Sequence, residues 1–156
     1  VFNMSSGRPL VVPAGSGTVL SVLGDSTRLL VDSESSGGTL LQFESISPPG
    51  GGPPMHCRAN DDETFLILEG NVKFSIQGRE SVDGPGSFVF APRGKEHTFM
   101  NPGPGPARMI ITCTPSGLEK AFREIAANKT RKLSTEIIGA TFAKVGITFH
   151  GPPLKP

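Results

Sequence analysis

Between residues 8 and 114 the chain alternates apolar and polar positions in short runs, each closed by glycine, proline or serine. The clearest run starts at Glu63. Glu63, Phe65 and Ile67 fall on one side, while Thr64, Leu66 and Leu68 fall on the other, which is the two-residue period of a strand. Gly70-Asn71 reads as a turn, and Val72, Phe74 and Ile76 resume the alternation. Upstream, Thr18–Leu23 and Thr27–Val31 flank Gly24-Asp25-Ser26 and predict a hairpin, and Thr39–Ile46 follows a Ser/Gly loop over Asp32–Gly38. Downstream strands are predicted at Ser87–Ala91, His97–Met100 and Ala107–Thr112. The tract Ser47–Pro54 (SPPGGGPP) suits neither helix nor paired strand, and reads as a shaped loop delivering the chain to His56. No crossover helix fits before residue 115, so the fold class is all-β and antiparallel, closed as a barrel or jelly roll that disposes of its edges.

After Thr114 the period changes. Ser116-Gly-Leu-Glu119 resembles a capping box, and Leu118, Phe122 and Ile125 recur at helical spacing. A second helix is predicted from about Thr135 to Ala143, followed by an irregular tail over Gly146–Pro156. The chain therefore divides into a barrel over 8–114 and a helical extension over 115–156, packed on the outside of the barrel through its apolar stripe.

Composition agrees with many short strands: 20 glycines and 15 prolines accompany ten Phe, with no Trp or Tyr. A net charge of +1 with interspersed signs gives no electrostatic case for nucleic acid or an anionic membrane, and no apolar run approaches a membrane span. Cys57 and Cys113 lack paired spacing and read as free, buried thiols, so a soluble cytoplasmic protein is expected. Val1–Asn3 precede Met4, and the sequence leaves open whether they are native.

The candidate chemistry gathers at the start of the regular alternation. His56 and Arg58 point the same way and Cys57 the other, with Glu63 able to face back across a short turn. His97 follows the rigid Pro92-Arg93-Gly94 turn on a strand distant in sequence. His150 reads as a surface residue, Met55 and Met100 as core filling, and Arg93 and Lys95 as solvated charges. The Gly50–Gly52 run lacks the following helix that a phosphate loop requires.

Gly50, His56, Glu63 and Gly70, with Gly86, Pro92, Gly94, His97 and Asn101, resemble the two conserved motifs of the cupin superfamily. The fifteen residues between Gly70 and Gly86 resemble its short spacer. The proline-glycine tract before His56 and the terminal Gly-Pro-Pro-Leu are, more weakly, similar to small single-domain cupins of the quercetin-dioxygenase kind. The resemblance implies a double-stranded β-helix barrel, commonly a homodimer, with one divalent Fe, Mn, Ni, Cu or Zn. It makes His56, Glu63 and His97 the metal ligands. The second motif histidine falls on Arg58, so that ligand is missing.

A guanidinium about 5 Å from a divalent ion costs on the order of 7 kcal/mol at an effective dielectric near 20, unless the arginine turns away, toward Asp61 or Asp62. Without metal, Arg58 pairs with Glu63 and leaves His56 and His97 as neutral bases. Phe65, Ile67, Phe74 and Phe99 are then expected to line a pocket for a small aromatic or anionic molecule. Three readings stay open. The first is a metal-dependent, dioxygenase-like oxidoreductase. The second is a metal-free isomerase, cyclase or decarboxylase with His56 and His97 as acid and base and Arg58 stabilising an anion. The third is a non-catalytic binding protein.

Overall fold

A computed structural model describes residues 6–129 and 132–156. The status of Val1–Asn3 lies outside them. In chain order the strands are β1 (Thr18–Val22), β2 (Asp25–Val31), β3 (Leu41–Ser47), β4 (Pro54–Arg58), β5 (Asp62–Glu69), β6 (Val72–Ile76), β7 (Arg79–Asp83), β8 (Phe88–Ala91), β9 (His97–Met100), β10 (Ala107–Thr114) and β11 (Ile147–Pro153). Three helices join them: α1 (Ser33–Ser36), α2 (Leu118–Ala127) and α3 (Thr135–Ala143).

The strands form two antiparallel sheets, ordered β1-β2-β3-β10-β5-β8 and β11-β4-β9-β6-β7. Alternation decides what each sheet turns inward. Leu41, Phe43 and Ser45 on β3, Glu63, Phe65 and Ile67 on β5, and Met109, Ile111 and Cys113 on β10 are buried, while their neighbours are partly or fully exposed. Phe65 packs edge-on against Phe74 at 5.2 Å and Phe99 at 5.6 Å, and these rings tie the two sheets together.

One loop positions the functional strands. Gly52 has φ +148, and a side chain there would put its Cβ 2.1 Å from the Phe99 carbonyl oxygen, so only glycine fits. Asn101 locks the same loop: its amide donates to the Ser47 and Gly105 carbonyls, and Gly50 N donates to Asn101 O at 2.8 Å. The proline-glycine tract is thus held against β9 and feeds directly into β4.

Several sequence expectations need correction. The first hairpin turns on Leu23-Gly24, both with positive φ, as a two-residue loop between twisted strands requires. Asp25 and Ser26 therefore belong to β2 rather than to the turn. The Asp32–Gly38 loop contains α1, capped reciprocally by Asp32 and Ser35. The capping box at Ser116 does not form. Glu119 instead accepts from Gly117 N and Ser33 N, which fastens α2 to α1. The tail is not irregular, because β11 pairs with β4 with Ile147 opposite Arg58 and Phe149 opposite His56. An unpaired β4 edge next to the site explains why the chain returns to cover it.

Phe65 is 1% exposed and touches both sheets. Phe65→Ala is expected to lower stability by about 3–5 kcal/mol in urea unfolding, the usual cost of emptying a ring-sized space in a packed core.

Candidate functional site

Three strands bring the candidate ligands together. His56 on β4 lies opposite His97 on β9, with ring centroids 4.4 Å apart. Glu63, at the inward-facing start of β5, reaches His97, with Oε2 2.9 Å from Nε2. One ligand atom from each of His56, Glu63 and His97 lies within 4.8 Å of the other two, and all three residues are buried.

The ring orientations follow from the backbone. His56 Nδ1 stands 2.9 Å from the Pro54 carbonyl and His97 Nδ1 stands 3.2 Å from the Lys95 carbonyl. Each carbonyl holds the Nδ1 proton and turns Nε2 toward the site, the outer support that a metal-binding imidazole needs. His97 then faces acceptors at both nitrogens, Lys95 O and Glu63, and a neutral imidazole has a proton for only one. A cation between Nε2 and Glu63 satisfies the second contact. Two ligands at right angles around a metal about 2.1 Å away stand about 3 Å apart, close to the observed separation. The donor set therefore fits a divalent transition metal bound by two histidines and a carboxylate.

Arg58 does not turn out to solvent. It is 2% exposed, its Nε donates to Asp61 Oδ1 at 3.0 Å, and Nη2 also bonds Asp61 and reaches Cys113 Sγ at 3.3 Å. Nη1 remains 3.4 Å from Glu63 Oε2. Asp62, the other expected partner, pairs with Arg93 on the surface instead. Asp61 is itself buried, so it balances the guanidinium charge within the site, and the penalty that an unpaired arginine imposes on a metal is largely offset. Cys113 is a free, buried thiol, as expected, and has the Arg58 guanidinium beside it. Burial nonetheless pushes it well above the usual thiol range, which keeps it protonated and unreactive.

The charges respond to this setting. Burial alone raises Glu63, but Arg58, His97 and His56 outweigh it and bring the carboxyl to about 2. Burial and the neighbouring His97 lower His56 to about 4, so its imidazole is neutral at pH 7 with Nε2 free as ligand or base. For Arg58, burial is outweighed by Glu63 and Asp61, and the guanidinium stays charged.

His56, Arg58 and Glu63 line one end of a cavity of about 640 Å³, counting the part open to solvent, while His97 is buried and does not line it. Of the four expected pocket residues only Phe99 lines it. Phe65, Ile67 and Phe74 are core residues behind the site, and the wall comes instead from Phe43, Phe122, Phe142 and Phe149. Phe43 meets Phe122 at 5.2 Å, Phe142 meets Phe149 at 5.4 Å, and Phe149 stands 6.2 Å from His56. The C-terminal segment is thus a wall of the cavity as well as a layer on the outside. Its signal was present in the helical spacing of Leu118 and Phe122 and in the alternation of Ile147 and Phe149, ahead of Gly151-Pro152. His150 is exposed and away from the cavity.

The profile of the Cupin domain family matches residues 43–113. A protein of Myxococcus xanthus (strain DK1622) named endoribonuclease YbeY is 32% identical over 88 residues, 56% of this chain; the match spans 28% of that protein. Among solved structures, a predicted oxalate decarboxylase from Thermotoga maritima aligns over 68% of this chain and 99% of its own, with TM-score 0.64 and 19% identity. KdgF from Halomonas sp. aligns over 72% and 98%, with TM-score 0.64 and 14% identity. The polyketide cyclase RemF from Streptomyces resistomycificus aligns over 69% and 80%, with TM-score 0.61 and 23% identity. At these identities the structures share the fold, not a reaction.

Arg58→Gln leaves Asp61 and Glu63 buried without a counter-charge and is expected to cost about 3–5 kcal/mol at pH 7 in urea unfolding. The deficit shrinks in acid, as the stranded carboxylates take up protons. For the metal-free protein the pH dependence has a definite sign. His56 titrates at about 4 when folded against an ordinary 6.5, and Glu63 at about 2 against 4.5, so in both windows the unfolded chain binds the proton first. Stability is therefore full above pH 6.5 and is lost on acidification. His56 accounts for the first loss, toward pH 4, on the order of 3 kcal/mol, and Glu63 for a further loss between pH 4.5 and 2. Urea midpoints of wild type and His56→Gln across pH 4–7 measure the first step, which the variant lacks.

Proposed function

We propose that this chain, whose residues 43–113 match the Cupin domain family, is a cupin-type, metal-dependent enzyme acting on a small, mainly apolar molecule by dioxygenase-like oxidation. The observation that carries the reading is the pairing of His56 and His97, each with Nδ1 tied to a backbone carbonyl, around Glu63 at the floor of an apolar cavity. His56, Glu63 and His97 would hold the ion. When bound, a redox-active divalent metal supplies Lewis acidity toward the substrate and electron transfer to dioxygen.

The chain's own residues do the remainder. Phe43, Phe99, Phe122, Phe142 and Phe149 exclude water and hold the substrate body against the polar floor. Asp61 fixes the Arg58 guanidinium, which in turn keeps Glu63 ionised. Neutral His56 and ionised Glu63 are ready as ligands without first losing a proton at pH 7.

The metal-free alternative draws support from one feature, the neutral His56 with Nε2 directed at the cavity as a general base. Against it, Arg58 already donates to Asp61 and Cys113 and faces Glu63, so it has little left with which to stabilise an anion. Metal analysis of protein purified without chelator decides between the two. Near-stoichiometric iron, manganese, nickel, copper or zinc is expected, with His97→Ala weakening retention by more than about 10-fold. A protein that neither carries nor takes up any of these ions, yet turns over a ligand in a His56-dependent way, is a metal-free enzyme. Binding without turnover in either state makes it a binding cupin.

A further inference from the structure

The cavity has a second polar end. Asp25 and Thr27 on β2 and Ser45 on β3 line it together with His56, Arg58 and Glu63. Asp25 Oδ1 accepts the Ser47 hydroxyl at 2.6 Å, while Oδ2 faces the Ser45 hydroxyl at 3.5 Å, the outer limit of a hydrogen bond. Among the described residues no cation pairs with this carboxylate; only serine hydroxyls reach it. Burial accordingly raises its pKa, the cost of keeping a carboxylate from water on hydroxyl donors alone. The loop beside it is shaped to its presence: a Cβ on Gly51 would fall 3.0 Å from Asp25 Oδ1 and 2.9 Å from Ser47 Oγ.

The spacing between the two ends follows from the strands. Ser45 lies opposite Met109, and Met109 lies opposite Ile67, four residues along β5 from Glu63. Four residues of strand cover about 13 Å. Between the ends, Phe43, Phe99, Ile111 and Phe122 leave an apolar passage.

We infer that Asp25 is a specificity residue that accepts a hydrogen bond from a hydroxyl or protonated amine at the far end of an elongated, otherwise apolar ligand. An ionised carboxylate only accepts, so the complementary group is a donor, and the distance selects a body about two aromatic rings long. The inference rests on the reading of this cavity as the substrate site.

The probes are para,para′-hydroxybiphenylcarboxylic acid, its aminomethyl counterpart and unsubstituted para-biphenylcarboxylic acid, each titrated calorimetrically into the full chain as purified. Their shared carboxylate is complementary to the cation that His56, Glu63 and His97 would hold, and only the far group differs. At least one donor-bearing acid is expected to bind about 10-fold or more tighter than the unsubstituted acid, as for a hydrogen bond to a charged group, and the preferred one identifies the donor. Asp25→Ala removes that advantage and leaves the unsubstituted acid's affinity unchanged, which also shows that the variant's cavity is intact. Asp25→Asn, which keeps an acceptor for Ser47, has the same effect where the alanine variant folds poorly. Equal affinities for all three acids in the wild type, or an advantage that survives both substitutions, overturn the role of Asp25 and leave the cavity reading standing. No binding by any of the three overturns both.

Discussion

The ionic pairing of Arg58 with Asp61 and Glu63 is the constraint around which this site is arranged. Burying one guanidinium without partners would cost several kcal/mol, and so would burying either carboxylate. Here the two carboxylates leave the group one negative charge in excess, and a divalent cation at His56, Glu63 and His97 would bring it to one positive. A neutral histidine in place of the Arg58–Asp61 pair would give the same total. The missing ligand is therefore replaced in charge, though not in coordination. The practical difference is that an ion held there would have one protein ligand fewer.

That electrostatic group stays dry because of a segment distant in sequence. β11 lies along β4 and sets Ile147 beside Arg58 and Phe149 beside His56, while α2 and α3 contribute Phe122 and Phe142. Low local polarity strengthens every charge contact beneath this cover, which is how Glu63 remains ionised despite being buried. The covering residues supply none of the candidate ligand atoms, yet the burial that sets the protonation states on the floor comes partly from them.

Much of the core was legible because strand alternation is an unambiguous signal where one face is buried. Glu63, Phe65 and Ile67 reveal their side of the sheet by parity alone. Parity assigns a face but not a depth. Phe65, Ile67 and Phe74 point inward as expected, yet they lie in the packed layer behind the site, and only the three-dimensional path of the C-terminal chain determines where the open space falls. Asp25 was hidden for a local reason: Gly24-Asp25-Ser26 looks like a turn, whereas Leu23 accepts a positive φ and moves the turn one residue earlier. Asp61 was legible only as one of two neighbouring acids. The choice between them was made by Arg93, which holds Asp62 at the surface.

The boundary of the shared family segment, residues 43–113, falls inside the cavity's wall. That segment carries all three candidate ligands as well as Arg58 and Asp61, but Asp25, Phe122, Phe142, Ile147 and Phe149 lie outside it. The candidate ligands thus fall within the shared segment, while the cavity wall is encoded partly inside it, by Phe43, Ser45, Phe99 and Ile111, and partly outside it. Kinship measured over the shared segment therefore leaves out much of the wall that a molecule in this cavity would meet.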